Sequence, residues 1–204
     1  LEAIAKICIK HDLFVLTDEI YSELRYDGVE HTSIASLPGM KERTILVDSL
    51  SKRFSMTGFR VGFVCAPEEV ARGVATMQEN VNSCACQFAQ YASKVALENS
   101  EVLEAQICET FRQRCTAMAD ELKKSDKLVL ANPASTFYLF INIEKTGLGS
   151  EEFAYRLLEQ KHIAVVPGNA FNRAGEGYIR IACTLSTEKL VDAAKEIVSF
   201  VDSL

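Results

Sequence analysis

Between two short apolar runs, residues 44–48 and 60–66, the chain reads Ser49-Leu50-Ser51-Lys52-Arg53-Phe54-Ser55-Met56-Thr57-Gly58-Phe59. Two small hydroxyls and a lysine sit together there, and Arg60 opens the second run. Serine hydroxyls and a guanidinium suit the oxygens of a phosphate, because the planar arginine fork can donate two parallel hydrogen bonds. A lysine amine beside them can attack a carbonyl and form an imine. The grouping points to an anionic ligand that carries an amine-reactive carbonyl.

Such a loop needs a rigid edge to sit on, and the flanking runs supply one. Residues 13–16 form a continuous apolar stretch ending in Thr17-Asp18, and residues 44–48 repeat the signature; both read as strands buried on two faces, as in a parallel α/β sheet. Residues 60–66, closed by Pro67, give a third strand. In open α/β sheets ligands bind at the carboxyl ends of the strands, where Asp18 and the 49–60 loop fall. Residues 1–12 read as a helix.

From residue 68 to about 124, Gly73 is the only glycine, and apolar residues recur at three and four spacing through Val70, Val74 and Met77 and again through Phe111, Cys115, Met118 and Leu122. Two or three long helices with a break near Asn99-Ser100 follow. The remainder predicts strands at 127–130, 136–143, 163–166 and 178–183, a helix over 150–160 and a closing helix from Ser186. Ser150 and Ser186, each followed by acidic residues, are read as helix caps. The expected organisation is residues 1–98 as one domain and 99–204 as a smaller α+β domain.

Composition narrows the function classes. A formal charge of -6, with basic residues scattered along the chain, gives no footprint for nucleic acid. No apolar stretch approaches the roughly 20 residues of a membrane-spanning helix. Seven cysteines form an odd set without a C-x-x-C pair, and most lie in apolar patterns, so buried free thiols in a reducing compartment, the cytoplasm, are expected. Cys84-Ala85-Cys86 has no third ligand near it in sequence, so no metal site is assigned.

The loop, together with Thr17-Asp18-Glu19-Ile20-Tyr21, Val166-Pro167-Gly168-Asn169-Ala170-Phe171 and Gly177-Tyr178-Ile179-Arg180-Ile181, resembles the class I and II (fold-type I) aminotransferases. The phrasing of D-E-I-Y, S-I-A-S-L-P-G-M, M-T-G-F-R-V-G-F and G-E-G-Y-I-R is similar to their bacterial aspartate and aromatic branch. The resemblance implies pyridoxal 5'-phosphate (PLP), held as a Schiff base on Lys52, the catalytic residue, whose amine is kept partly neutral by its surroundings to act as base. It implies Asp18 on the pyridine nitrogen, Tyr21 on the phenolic oxygen, Ser49, Ser51 and Arg60 on the phosphate, and Arg180 on the substrate carboxylate. Substrates would be an amino acid and a 2-oxo acid, and the active form a homodimer. The fold implied is part of the large PLP-binding domain, mostly a parallel sheet with helices, followed by the small domain.

Singly, Asp18 reads rather as a strand-end cap, Tyr21 as a core aromatic and Arg180 as half of a surface ion pair. Their joint occurrence in family order favours the chemical roles. Phe137-Tyr138 resembles a family strand near the substrate, although Ser135-Thr136 stands where Gly-Ala is usual, and the pair reads first as part of a core strand. His11, His31 and His162 match no motif and read as structural or surface residues. The chain starts inside a helix, without an initiator Met or a leader pattern, and lacks the family's N-terminal arm and glycine-containing phosphate loop; a fragment of a longer protein is expected. A PLP-dependent β-lyase on the same scaffold, or a non-catalytic aminotransferase-like regulatory domain, stands as the alternative.

Overall fold

The computed structural model describes residues 1–204. Its first helix, α1 (Glu2–Lys10), buries Ala5 and Cys8, one helical step of three apart, with Ile34 and Met40, and Val15 and Leu37 pack against that cluster. Val15 begins β1 (Val15–Asp18), which runs parallel to β2 (Thr44–Ser49); β3 (Gly62–Cys65) pairs antiparallel with the other side of β2. A parallel pair needs a long crossover. Here residues 19–43 provide it through two 3-10 turns, Ile34–Ser36 and Lys41–Arg43.

The expectation that the strands are buried on both faces is not met. Leu16 is 72% exposed and β3 is exposed along its length, because α1 and the crossover cover one face only. The sheet edge that matters is set by direction. Since β1 and β2 run parallel, Asp18 and Ser49 close them at the same end.

α2 (Leu50–Arg53) follows β2 directly, with Ser49 as its cap: the Ser51 amide donates to Ser49 Oγ at 3.0 Å. Leu50 and Phe54, four apart, point the same way into a cluster with Met56 and Ala96, against which Ala92, Leu103 and Ile107 pack. Burying each of these two side chains is worth about 1.5–3 kcal/mol. Lys52, two residues from either, is turned about 200° away at helical spacing. Arg53 adds a charge-assisted bond to Glu104 at 2.5 Å, both side chains being about four-fifths covered.

α3 (Glu68–Asn82), α4 (Gln87–Glu98) and α5 (Ser100–Leu122) fill the glycine-poor stretch, with the break at Asn99, whose side-chain amide donates to the Val95 carbonyl at 2.8 Å. The chain divides into two compact units, Leu1–Ile107 and Cys108–Leu204, the division falling inside α5.

The second unit is built on an antiparallel sheet in which β6 (Tyr178–Ala182) lies between β4 (Tyr138–Asn142) and β5 (Val166–Pro167). Alternation separates its faces. Leu139, Ile141, Ile179 and Ile181 are buried, while Phe140 and Arg180 pair across the other face. α6 (Ser150–Lys161) and α7 (Thr187–Asp202) meet through Phe153 and Phe200, edge to face at 5.3 Å. The strand expected at 127–130 is reduced to a single bridge between Val129 and Asn142, and that at 163–166 to the two residues of β5. In the first case Leu128 alone is buried and Pro133 follows closely, a residue that cannot donate to a ladder.

The reading of Ser150 as a cap is corrected. α6 starts at Ser150, and it is Ser150 that donates, through its amide and its hydroxyl, to the two oxygens of Glu176, each at 2.8 Å. Ser186 does precede α7, without a side-chain cap bond. The Ser150 amide and hydroxyl both favour the ionised Glu176 carboxylate and hold its pKa below the usual 4.5. An acid whose folded pKa lies below its unfolded one stabilises the fold above the unfolded value, and that contribution is lost as pH falls through the folded one. Glu176→Gln should therefore lower the melting temperature at neutral pH, and the gap to the wild type should close as both are titrated well below pH 4.5. A gap independent of pH would show that the charge is not what stabilises α6.

Two glycines make a close crossing next to β5. A Cβ on Gly168 would lie 2.1 Å from the Gly175 carbonyl oxygen and 2.8 Å from that of Tyr178, both backbone atoms that cannot swing aside. Gly168→Ala is expected to destabilise the protein by about 3 kcal/mol or more, read as a shifted denaturant midpoint. A midpoint moved by less than a third of that would mean the turn opens freely.

The cysteine expectation holds only in part. Cys8, Cys115 and Cys183 are buried and Cys108 half-buried, but Cys65, Cys84 and Cys86 are exposed. Cys65 ends the open strand β3, and the other two lie in the turn between α3 and α4. A hydrogen bond with Cys115 and, after it, burial raise the Cys183 thiol far above its ordinary pKa.

Candidate functional site

At the carboxyl end of the first sheet an open pocket of about 730 Å³ is lined by Ser49, Ser51, Lys52 and Arg60, together with Ile20 and Asp48. Four of the residues singled out in the sequence thus meet around one cavity. The two serines are linked, Ser49 Oγ lying 2.7 Å from Ser51 Oγ and 2.9 Å from the Val61 carbonyl oxygen. Their oxygens are fixed by the cap of α2 and by the Val61 carbonyl just before β3, and Ser51 is buried.

Arg60 adopts the left-handed conformation, φ 56°, and donates from Nη1 to the Thr57 carbonyl at 3.0 Å. Such a backbone costs a non-glycine residue about 1–2 kcal/mol and tends to persist where a side chain must be aimed. Gly62 permits the close approach of β3, since a Cβ there would lie 2.9 Å from the Asp48 carbonyl oxygen.

Asp18 and Tyr21 are not among the residues that line the cavity, though each adjoins one that is. Asp18 is the register partner of Val47, a lining residue, and Tyr21 follows Ile20, another. The exposed Asp18 carboxylate accepts from the Ile20 amide at 3.1 Å, which leaves oxygen lone pairs for a second donor.

Two carboxylates near the edge escaped the reading of the sequence. Glu19, 9% exposed, accepts from Ser33 Oγ at 2.7 Å and pairs with His31 Nε2 at 2.9 Å, so the crossover is clipped to the end of β1. His31 is therefore structural, and only its spacing of two from Ser33 could have hinted at a shared partner. Asp48, 8% exposed, has its pKa raised by burial, against the opposing pull of the Ser49 amide at 2.6 Å and of the Arg53 charge.

Arg180 lies in the second unit, on β6, opposite Phe140 of β4 and Val166 of β5. Its guanidinium carbon is 4.3 Å from the centre of the Tyr138 ring and 4.6 Å from that of Phe171. The surface ion pair considered for it is not formed: Arg180 has no carboxylate partner and no hydrogen bond from its fork within the chain.

The donor set can be tested against PLP. A phosphate would find two fixed hydroxyls and a guanidinium, a carbonyl would find the Lys52 amine in the same pocket, and a protonated ring nitrogen would find an acceptor in Asp18. The residues fit the group. No cluster of three or more His, Cys, Asp or Glu side chains is placed to hold a metal ion.

Residues 1–197 match the family model of class I and II aminotransferases. The chain is 42% identical over 195 residues to an aspartate aminotransferase of Pyrococcus abyssi and 40% identical over 195 residues to aromatic-amino-acid aminotransferase 2 of Thermococcus litoralis, each match covering 95% of the chain and 50% of the relative. Among solved structures, the aromatic aminotransferase of Pyrococcus horikoshii superposes with a TM-score of 0.93 at 38% identity, over 99% of this chain and 54% of that one. The chain spans about half the length of the curated relatives it matches.

Proposed function

The chain belongs to the class I and II aminotransferase family, and from that premise we propose that it serves a PLP-dependent enzyme moving an α-amino group between an amino acid, of aspartate or aromatic type, and a 2-oxo acid. The observation that carries this reading is the gathering of Ser49, Ser51, Lys52 and Arg60 around one pocket at the end of a parallel strand pair. When bound, PLP supplies the electron sink that eases loss of the α-proton from an amino acid. Ser49, Ser51 and Arg60 would hold the phosphate. The Asp18 carboxylate would accept from the ring N–H, and the Tyr21 hydroxyl would donate to the phenolic oxygen.

Lys52 is the residue whose Nζ would hold the cofactor's carbonyl carbon, and the same amine, when free, would serve as the base at the substrate α-carbon. Arg180 grips the α-carboxylate with its fork and so fixes the orientation of the α-carbon. The side-chain class rests on the named relatives, which act on aspartate and on aromatic amino acids. Apolar side chains exposed along α3 and α4, Met77, Val81, Phe88 and Tyr91 among them, support a surface covered by further protein, as in a homodimer. Seven cysteines with no disulfide among them support the cytoplasm as its compartment.

The test is chemical. The protein is incubated with PLP, reduced with borohydride and mapped by peptide mass; a pyridoxyl group at Lys52, displaced when an amino acid is added before reduction, is the expected outcome. Labelling spread over surface lysines, insensitive to amino acid, would overturn the reading.

A further inference from the structure

The fork of Arg180 is held without a hydrogen bond from the chain, and two aromatic rings take that part. They come from opposite sides: β6 is the central strand, Tyr138 rises from β4, and Phe171 comes from the turn that follows β5. We propose that Tyr138 and Phe171 are positioning residues that flank the Arg180 guanidinium and fix the plane in which it meets a carboxylate. The proposal rests on the reading of Arg180 as the carboxylate grip.

Each ring is itself held in place. Phe171 meets Phe140 edge to face at 6.3 Å, and Phe140 stacks on Tyr178 at 4.9 Å with the planes 6° apart. The Phe171 amide donates to the Gly168 carbonyl at 3.0 Å, within the turn that the crossing of Gly168 and Gly175 makes rigid. On the other side, the Tyr138 amide donates to Thr136 Oγ1 at 3.1 Å, and Thr136 is kept at φ 60°. That conformation is costly for a β-branched residue and persists where the surroundings over-determine it.

Ring faces attract a guanidinium without engaging its N–H groups, so all five donors stay directed at the plane's edge, where a carboxylate binds through two of them. An arginine held instead by ion pairs would have to exchange partners when its ligand arrives. An arginine held by nothing would lose side-chain freedom on binding.

Succinate, a dicarboxylate with no amino or oxo group to transfer, separates the clamp from the chemistry when its dissociation constant is measured by calorimetry on the PLP-loaded protein. Phe171→Leu and Tyr138→Leu are each expected to weaken succinate about tenfold, and Phe171→Tyr and Tyr138→Phe, which keep the ring, to stay within about twofold of the wild type. In an Arg180→Ala background, Phe171→Leu should have no further effect. Circular dichroism and melting curves verify that each variant folds, and the ring-keeping variants serve where a leucine variant does not. If Arg180→Ala weakens succinate while both folded leucine variants bind normally, the clamp is overturned and the carboxylate grip stands. If Arg180→Ala binds normally, the grip itself falls and the clamp with it. Equal losses in the leucine and the ring-keeping variants would also overturn the clamp, since the rings would not be what matters.

Discussion

Lys52→Ala is expected to lower the rate of amino-group transfer by at least about a thousandfold while leaving the fold intact. On the proposed function two roles are lost together, the covalent hold on the cofactor and the base that takes the α-proton, and proton transfer alone is worth about 10²–10⁴. Stability should change little, because α2 is anchored by Leu50 and Phe54 in the core and by the Arg53–Glu104 pair, none of which involves Lys52. Alanine is also the residue that a helix accepts most readily. Lys52→Arg keeps the positive charge, but a guanidinium forms no imine with a carbonyl and gives up no proton to serve as a base, so it should be almost as inactive. The measurement is steady-state formation of the product amino acid, beside a melting curve and the borohydride labelling pattern. Full turnover in a folded Lys52→Ala protein would remove this lysine from the chemistry.

The end of β2 shows why this part was legible in the sequence. Everything that aims Lys52 is local: the run 44–48, the cap at Ser49, the pair Leu50 and Phe54, and the strand that returns at Gly62 lie within some twenty residues. The helices of 68–122 were legible for the same reason, since periodicity and the lack of glycine are properties of a contiguous stretch. What the sequence hid is long-range. Glu176 holds the start of α6 from 26 residues away, Glu19 meets His31 and Ser33 across a crossover, and Phe171 reaches Arg180 from the turn that follows β5. The strand expected at 127–130 failed because a few alternating apolar residues describe a chain that could pair, and only Val129 finds a partner. Strand burial was misjudged likewise: an apolar run states that a strand can be covered on both faces, whereas covering depends on what else is present to pack on it.

Arg180→Lys is expected to raise the KM for α-amino acids by about 30- to 1000-fold, with a smaller fall in kcat, although the charge is kept. A fork that donates two parallel bonds to a carboxylate fixes both the position and the plane of its ligand, whereas an ammonium at the end of a flexible chain fixes neither. Losing a charge-assisted pair costs about 2–4 kcal/mol, which at 25 °C is the range of KM given. The structure adds a reason for the lysine to fail: the flat surfaces of Tyr138 and Phe171, 4.3 and 4.6 Å from the guanidinium, suit a planar cation, and the lysine ammonium is tetrahedral. Arg180→Ala should act in the same direction and further. The informative control is an amine that lacks the carboxylate. Its turnover, slow in the wild type, should be the same in all three proteins, because the residues proposed to hold the cofactor lie on β1, β2, α2 and the segments just after β1 and just before β3, and none of them is altered. A KM for amino acids unchanged in Arg180→Lys would mean that charge alone is recognised at this position, and the two rings beside the guanidinium would then need another explanation.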